Sequence, residues 1–222
     1  MIIFDHVTKI YKTRQGVIKT VLENSSFSFE PGNNYGILAA NGSGKSTLLR
    51  LIAGAELPNR GRIIRRARVS FPLGFSGTFH GHATGRQNAM FLARVYGQNV
   101  RDILEFVSEF SELGDYFDMA VQTYSSGMQA KLAFAICLAI DFDIYLVDEV
   151  TEVGDERFRR KCSEAFEKRM GHSDIILVSH NESTIRSYCN RGAVLVNGGL
   201  VLFDSINDAL RAYRKISSAH HE

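Results

Sequence analysis

The sequence predicts an α/β fold built around a parallel sheet, and three stretches carry that expectation. AANGSGKST, residues 39–47, joins the apolar run YGIL to LLRLIAG, where Leu48, Leu49 and Ile52 recur at helical spacing. That is a strand, a glycine-rich turn and a helix. FDIYLVDE and DIILVSH are continuous apolar runs bounded by charge, the pattern of strands buried on both faces of a parallel sheet. Between them and the glycine turn, residues of about 85–138 change to a helical period, as in NAMFLARVYG and RDILEFVSEFSEL.

Taken in order, IIFDHVTKIY and VLENSSFSFE read as strands, the second stopped by Pro31-Gly32, and NYGIL leads into the glycine turn. The following helix has a natural stop at Gly54. Residues 85–138 form a helical insertion, broken by the polar gaps Gly97-Gln98-Asn99 and Gly114-Asp115. QAKLAFAICLAI is apolar nearly all round and is expected as a buried helix. The hairpin AVLV-NGG-LVLF and the amphipathic INDALRAYRKI, residues 193–222, complete one domain spanning 1–222.

Composition narrows the class without naming a function. With 45% hydrophobic and 23% charged residues the chain is an ordinary soluble domain, and a net charge of +2 neither demands nor excludes an acidic partner. The 3 cysteines are widely spaced, which argues against a disulfide framework or zinc site and suits a reducing cytoplasm. The longest apolar run, Leu132 to Ile140, is about half the roughly 20 residues needed to cross a bilayer. The start MIIFDHVTKIY alternates with polar residues and does not read as a signal peptide. Arg60, Arg62, Arg65, Arg66 and Arg68 are read as a solvated strand pair, and Arg157, Arg159, Arg160 and Lys161 as a wet helix face.

The glycine turn is a phosphate cradle. Backbone N–H groups across Asn41, Gly42, Ser43 and Gly44 converge on phosphate oxygens only if side chains stay small, and the helix N-terminus adds about half a positive charge. Lys45 would reach the β- and γ-phosphates and the Ser46 hydroxyl would ligate Mg²⁺. The usual G-x-x-x-x-G-K-[ST] pattern has Ala39 in place of its first glycine, which matters only if the backbone there has positive φ. IYLVDE then delivers Asp148 and Glu149 to a strand end, Asp148 suited to the metal and Glu149 to polarising an attacking water. In TYSSGM, Ser125 or Ser126 would cap the buried helix, with Gly127 in its first turn. Gly127 lies 21 positions before Asp148, and His180, at the end of DIILVS, lies 32 after it.

This order and spacing resembles the nucleotide-binding domain of ABC transporters over essentially the whole chain. AANGSGKST (Ala39, Ala40, Asn41, Gly42, Ser43, Gly44, Lys45, Ser46, Thr47) is similar to Walker A, and YSSGM (with Ser125, Ser126, Gly127 and Met128) to the signature loop. IYLVDE resembles Walker B, VGD with Asp155 the D-loop, and His180 the switch histidine. The resemblance implies a P-loop NTPase core of ABC type with an N-terminal antiparallel β subdomain and a helical insertion subdomain. It implies ATP and Mg²⁺ as cofactors, Tyr11 stacking on adenine, and a head-to-tail homodimer in which Ser125 to Met128 and Asp155 of one copy complete the ATP site of the other. Glu149 and His180 would be the catalytic pair, and Ser46 and Asp148 the metal-binding pair.

Within the family, YSSGM in place of the commoner LSGGQ, FPLGFSGTFHGHATGRQN and DEVTEVGDERF resemble polysaccharide-exporting ATPases of the capsule and O-antigen type. The implied partners are a second copy, a separate integral membrane permease, and periplasmic or outer-membrane export components, at the cytoplasmic face of the bacterial inner membrane. Polysaccharide would be met mainly through the permease, and no nucleic-acid partner is expected. The chain ending shortly after the helix near Ala209 favours the compact capsular branch over O-antigen or teichoic-acid exporters. Importer ATPases and soluble ABC ATPases acting on nucleic acid share the cradle and signature and are the competing classes. One departure stands out: the glutamine expected after a YLP-like strand is absent from SFPLG, which offers Leu73, while Gln87 lies further along. Residues 71–86 are expected to form the groove for the permease.

Overall fold

The computed structural model describes residues 1–12, 16–72, 79–148, 156–179 and 181–219. They fall into two compact units. The first holds β1 (Ile2–Lys12), β2 (Ile18–Phe29), β3 (Tyr35–Ala39), α1 (Lys45–Ala53) and β4 (Arg60–Arg65), then β5 (Ile144–Asp148), β6 (Asp174–Val178), α6 (Glu182–Tyr188), β7 (Arg191–Val196), β8 (Gly199–Phe203) and α7 (Ile206–Ala219). The second holds α2 (Gly85–Val95), α3 (Val100–Ser111), α4 (Ser126–Ala139) and α5 (Glu156–Met170), with short 3₁₀ turns at Gly114–Asp118 and Val121–Thr123.

In the first unit, β2-β1-β4 is an antiparallel sheet, and a second sheet runs β5-β6-β3-β7-β8. β5, β6, β3 and β7 are mutually parallel, and β8 returns antiparallel to β7. All of β3 and most of β5, β6 and β7 are buried, as uninterrupted apolar runs require. The hairpin turn Asn197-Gly198 has positive φ at both residues, 46° and 75°, the conformation for which Asn-Gly is favoured. Phe4, Phe27, Phe29 and Tyr35 pack ring against ring, with the Phe29 and Tyr35 centroids 5.0 Å apart, and so bind the antiparallel layer to β3.

Gly36 of β3 and Gly192 of β7 are register partners. A Cβ on Gly36 would lie 2.6 Å from Ile185 Cγ2, and one on Gly192 would lie 2.2 Å from Ala209 Cβ. The pair makes a flat floor onto which α6 and α7 close.

In the second unit α2, α3 and α4 are each begun by a side chain. Thr84 and Gln87 form a reciprocal capping box on α2, Asn99 accepts from Arg101 N on α3, and Ser125 accepts from Met128 N on α4. α4 is buried from Leu132 to Leu138. Phe110 of α3 packs beside Phe134 of α4 and Phe158 of α5. Lys161 reaches the Phe110 carbonyl at 3.0 Å and Glu112 at 2.9 Å, while Arg157, Arg159 and Arg160 are exposed.

Gly192→Ala is expected to lower stability by about 1–3 kcal/mol, because the added methyl meets a helix rather than the loose end of a side chain. A urea titration checks this: the midpoint should fall with little change in slope.

Candidate functional site

β3 ends at Ala39 and α1 begins at Lys45, so the turn between them is short and its backbone tightly defined. Gly42 and Gly44 have φ of 76° and 110°, the left-handed region that favours glycine. At Gly44 there is also no room for a side chain, since a Cβ would lie 2.4 Å from Val21 Cγ1. Ala39 is in the strand, outside the positive-φ set, so alanine serves there as well as glycine would. Lys45 Nζ folds back over the turn to the Ala39 carbonyl at 3.0 Å and Asn41 Oδ1 at 3.3 Å.

Two features of the turn fit it to phosphate oxygens. The residue before α1, Gly44, offers no side chain to cap it, and a helix N-terminus is where N–H groups point outward to an anion. Ser43 Oγ is buried and has no hydrogen-bond partner among the described residues, a situation that costs about 1–3 kcal/mol unless something enters to satisfy it. Beside the turn lies a cavity of about 460 Å³ bordered by Lys19, Asn41, Ser43, Asn197 and Tyr213. Lys19, the cross-strand partner of Tyr11, carries no motif by which the sequence would have marked it.

The parallel register brings Asp148 to the same edge. Ile37 pairs with Val178, and Val178 pairs with Asp148, so β3, β5 and β6 end together at their carboxyl ends, where such sheets bind ligands. Asp148 is partly buried at the tip of β5, and Ser46 is exposed in the first turn of α1. Glu149, Asp155, His180 and Leu73 lie outside the described residues. Among those described, no group of three or more His, Cys, Asp or Glu side chains could hold a metal ion. The donors available, a hydroxyl and a carboxylate, suit Mg²⁺, which keeps several waters and shares substrate phosphates.

Tyr11 sits at the end of β1, and its hydroxyl lies 3.2 Å from Thr47 Oγ1 on α1 and donates to Glu56 Oε1. Glu56 also receives Lys9 Nζ at 2.7 Å and Arg50 Nε at 3.0 Å. Burial pushes the Glu56 carboxyl up, but hydrogen bonds from Lys9, Tyr11 and Arg50 outweigh it and hold the group below its ordinary value. This cluster was invisible to motif reading, because Glu56 is a lone acid in a loop.

In the second unit, Ser125 rather than Ser126 caps α4, leaving Ser126 exposed in its first turn. The preceding Tyr124 is buried, its hydroxyl donating to the Tyr116 carbonyl, and this anchors the loop. Gly127 and Met128 are partly exposed. A Cβ on Gly127 would meet only Ser125 Oγ, at 4.0 Å, and its φ is not positive. Nothing in this unit's own packing requires glycine there, in contrast to Gly44.

The ABC transporter family pattern matches residues 22–152, more than half of the chain. The chain belongs to the ABC transporter family. Over 97% of its length it is 49% identical to the capsule polysaccharide export ATP-binding protein CtrD of Neisseria meningitidis serogroup B, covering all of that protein. It is 48% identical to the ATP-binding protein BexA of Haemophilus influenzae and 43% identical to a polysialic acid transport ATP-binding protein KpsT of Escherichia coli, each over 97% of this chain and 99% of the relative. Its fold is similar to that of a solved ATP-binding subunit of an ABC transporter, with a TM-score of 0.74, 19% identity, and 96% and 99% of the two chains covered. A dimeric ATP-binding cassette bound to ADP and Pi aligns at a TM-score of 0.71 with 21% identity, over 90% and 96% of the two chains.

Several other residues of this ABC domain have local duties. Gln87 is held in the α2 capping box, where its side chain accepts from Thr84 N at 2.9 Å. Arg65, from the basic run, donates to the carbonyls of Leu51 and Ile52 and so closes the C-terminus of α1. Arg62 pairs with Asp5 at 2.8 Å. Burial pushes the Cys162 and Cys189 thiols up to about 12, which keeps both unreactive.

Two outcomes are expected. Gly44→Ala should unfold more easily than the parent in a thermal melt, whereas Gly127→Ala should melt at or slightly above it, since alanine is the better helix former by roughly 0.5–1 kcal/mol. The Glu56 carboxyl, depressed on folding, contributes stability above its ordinary value of 4.5 and loses it as pH falls through the lower folded value. The stability deficit of Glu56→Gln, followed by urea titration across pH, should therefore be full at neutral pH and shrink on acidification.

Proposed function

We propose that this ABC protein is the ATP-binding and ATP-hydrolysing subunit of a capsular polysaccharide exporter, working as a pair of copies beneath a separate membrane permease. The observation that carries this reading is the 49% and 43% identity, each over 97% of the chain, to proteins named for capsule polysaccharide export and polysialic acid transport. O-antigen and teichoic-acid export proteins are similar at a lower level, 34% and 33%.

In this reading the whole chain acts as one nucleotide-binding domain. The amides of residues 40–47 and the Lys45 ammonium hold the β- and γ-phosphates, with Ser43 Oγ satisfied by a phosphate oxygen. Tyr11 carries adenine on its ring. Ser46 and Asp148 hold magnesium, which when bound neutralises charge on the phosphate oxygens. Glu149 takes the proton of the attacking water, and His180 contacts the γ-phosphate.

The N-terminus of α4, with Ser125, Ser126, Gly127 and Met128, together with Asp155, faces the ATP of a second copy, so each site is composite. ATP closes the pair, and its hydrolysis removes the charge both copies bind and releases them. Among the described residues no helix is long and apolar enough to cross a membrane. In this reading the protein works on the inner face of the bacterial inner membrane, held there by the permease, with residues 71–86 as the docking groove. Polysaccharide is handled by that permease and by periplasmic and outer-membrane components.

Glu149→Gln is expected to bind ATP like the parent, to lose about 10²–10⁴ of steady-state ATPase rate, and to run as a dimer with ATP on size exclusion. Retained turnover in that variant counts against the assignment. Purification from membranes should bring down an integral permease without a solute-binding protein; recovery of a solute-binding protein would indicate an importer instead.

A further inference from the structure

We propose that Glu56 is a positioning residue for nucleotide binding: its carboxylate ties the Tyr11 ring to the start of α1, so that base platform and phosphate cradle keep a fixed geometry. The inference rests on the reading of Tyr11 as the ring that carries adenine.

The hydrogen bonds form a closed circuit in which every proton has one consistent place. Arg50 has only donors: its Nε gives to Glu56 Oε2 at 3.0 Å and its Nη2 to Thr47 Oγ1 at 3.3 Å. The Glu56 carboxylate can only accept, so Tyr11 gives its single proton to Oε1. The Tyr11 oxygen lies 3.2 Å from Thr47 Oγ1, and with the tyrosine proton committed Thr47 is the donor of that pair. Lys9 closes the other side, giving to Glu56 Oε1 at 2.7 Å and to the Leu57 carbonyl at 2.9 Å, with its ammonium 5.1 Å from the Tyr11 ring centroid. Lys9 and Thr47 are 8% and 6% exposed, so the circuit is shielded from water where its strength is felt.

Thr47 is the third residue of α1, the helix whose N-terminus forms the cradle. The circuit thus joins β1, which holds the ring, to the helix proposed to hold the phosphates, and among the described residues Glu56 is the anion in it. Without its charge the Tyr11 hydroxyl faces a weaker acceptor and two cations lose a counter-charge. The ring would then sample other rotamers and present less of its face to a base. The consequence falls on the base half of the nucleotide, while the cradle amides and Lys45, which meet the triphosphate, are untouched.

The test is binding of ATP and of inorganic triphosphate, by calorimetry, to the full chain and to Glu56→Gln, Tyr11→Phe, the double variant and Tyr11→Ala. Glu56→Gln and Tyr11→Phe should each weaken ATP about three- to tenfold, a part of the roughly five- to 150-fold carried by a base stack, and leave triphosphate unchanged. The double variant should be no weaker than the weaker single one, because both break the same link. Should Glu56→Gln not fold, Tyr11→Phe against triphosphate decides the matter, since it keeps the ring and removes only the hydroxyl. Equal loss of ATP and triphosphate, or no loss of ATP, overturns the role of Glu56. If Tyr11→Ala binds ATP like the parent, Tyr11 is not the base platform and the underlying reading fails; if it binds weakly while Glu56→Gln and Tyr11→Phe are neutral, only the positioning role fails.

Discussion

Everything at the nucleotide edge depends on Gly44 being held at φ 110° with Val21 filling the space where a side chain would stand. That conformation turns the chain from β3 into α1 within a few residues. The Gly44 carbonyl accepts from Leu48 N at 2.9 Å to start the helix, yet no side chain claims the N–H groups before it. A helix that begins without its own cap is costly by itself and useful to an anion, because the same N–H groups carry the positive end of the dipole. The Val21 contact also means that β2 of the antiparallel sheet is packed directly against the cradle. The conformation of one glycine thereby links the turn to a separate layer of the fold.

The parallel sheet supplies the second condition. β5 and β6 end in register and β3 continues past them to Ala39, so Asp148 and the start of the glycine turn share one edge without any long loop to place them. Burial on both faces makes a register slip expensive. On the face toward α6 and α7, the closeness of approach is set by hydrogen in place of methyl at Gly36 and Gly192. Neither position has room for a methyl group.

Much of this was legible in the residues. The cradle, the apolar strands, the buried α4 and the Asn-Gly hairpin each follow from a local rule linking residue type to backbone state or to period. What escaped notice has a common physical origin. Glu56 meets Lys9 and Tyr11 from 47 and 45 positions away, and Arg65 meets the carbonyls of α1 from 13 and 14 positions away. A lone acid or arginine leaves no periodic trace, and its partners are fixed only once strands and helices have been laid side by side. The basic run is the instructive case: alternation predicted a wet strand pair, and Arg65 instead turned inward to close a helix.

The sequence by itself determined the class of fold, the order of its strands and helices, and the glycine turn between β3 and α1, because glycine, proline and apolar period act on the backbone locally. Only the tertiary structure decided that Ala39 could stand where a glycine is usual, that Ser125 caps α4, that Gln87 belongs to a helix start, and that Tyr11 is lashed to α1 through Glu56. Those outcomes depend on φ at one residue, or on which polar atoms come within 3.5 Å across the fold. Neither is set until distant segments have packed and each buried donor has found its acceptor.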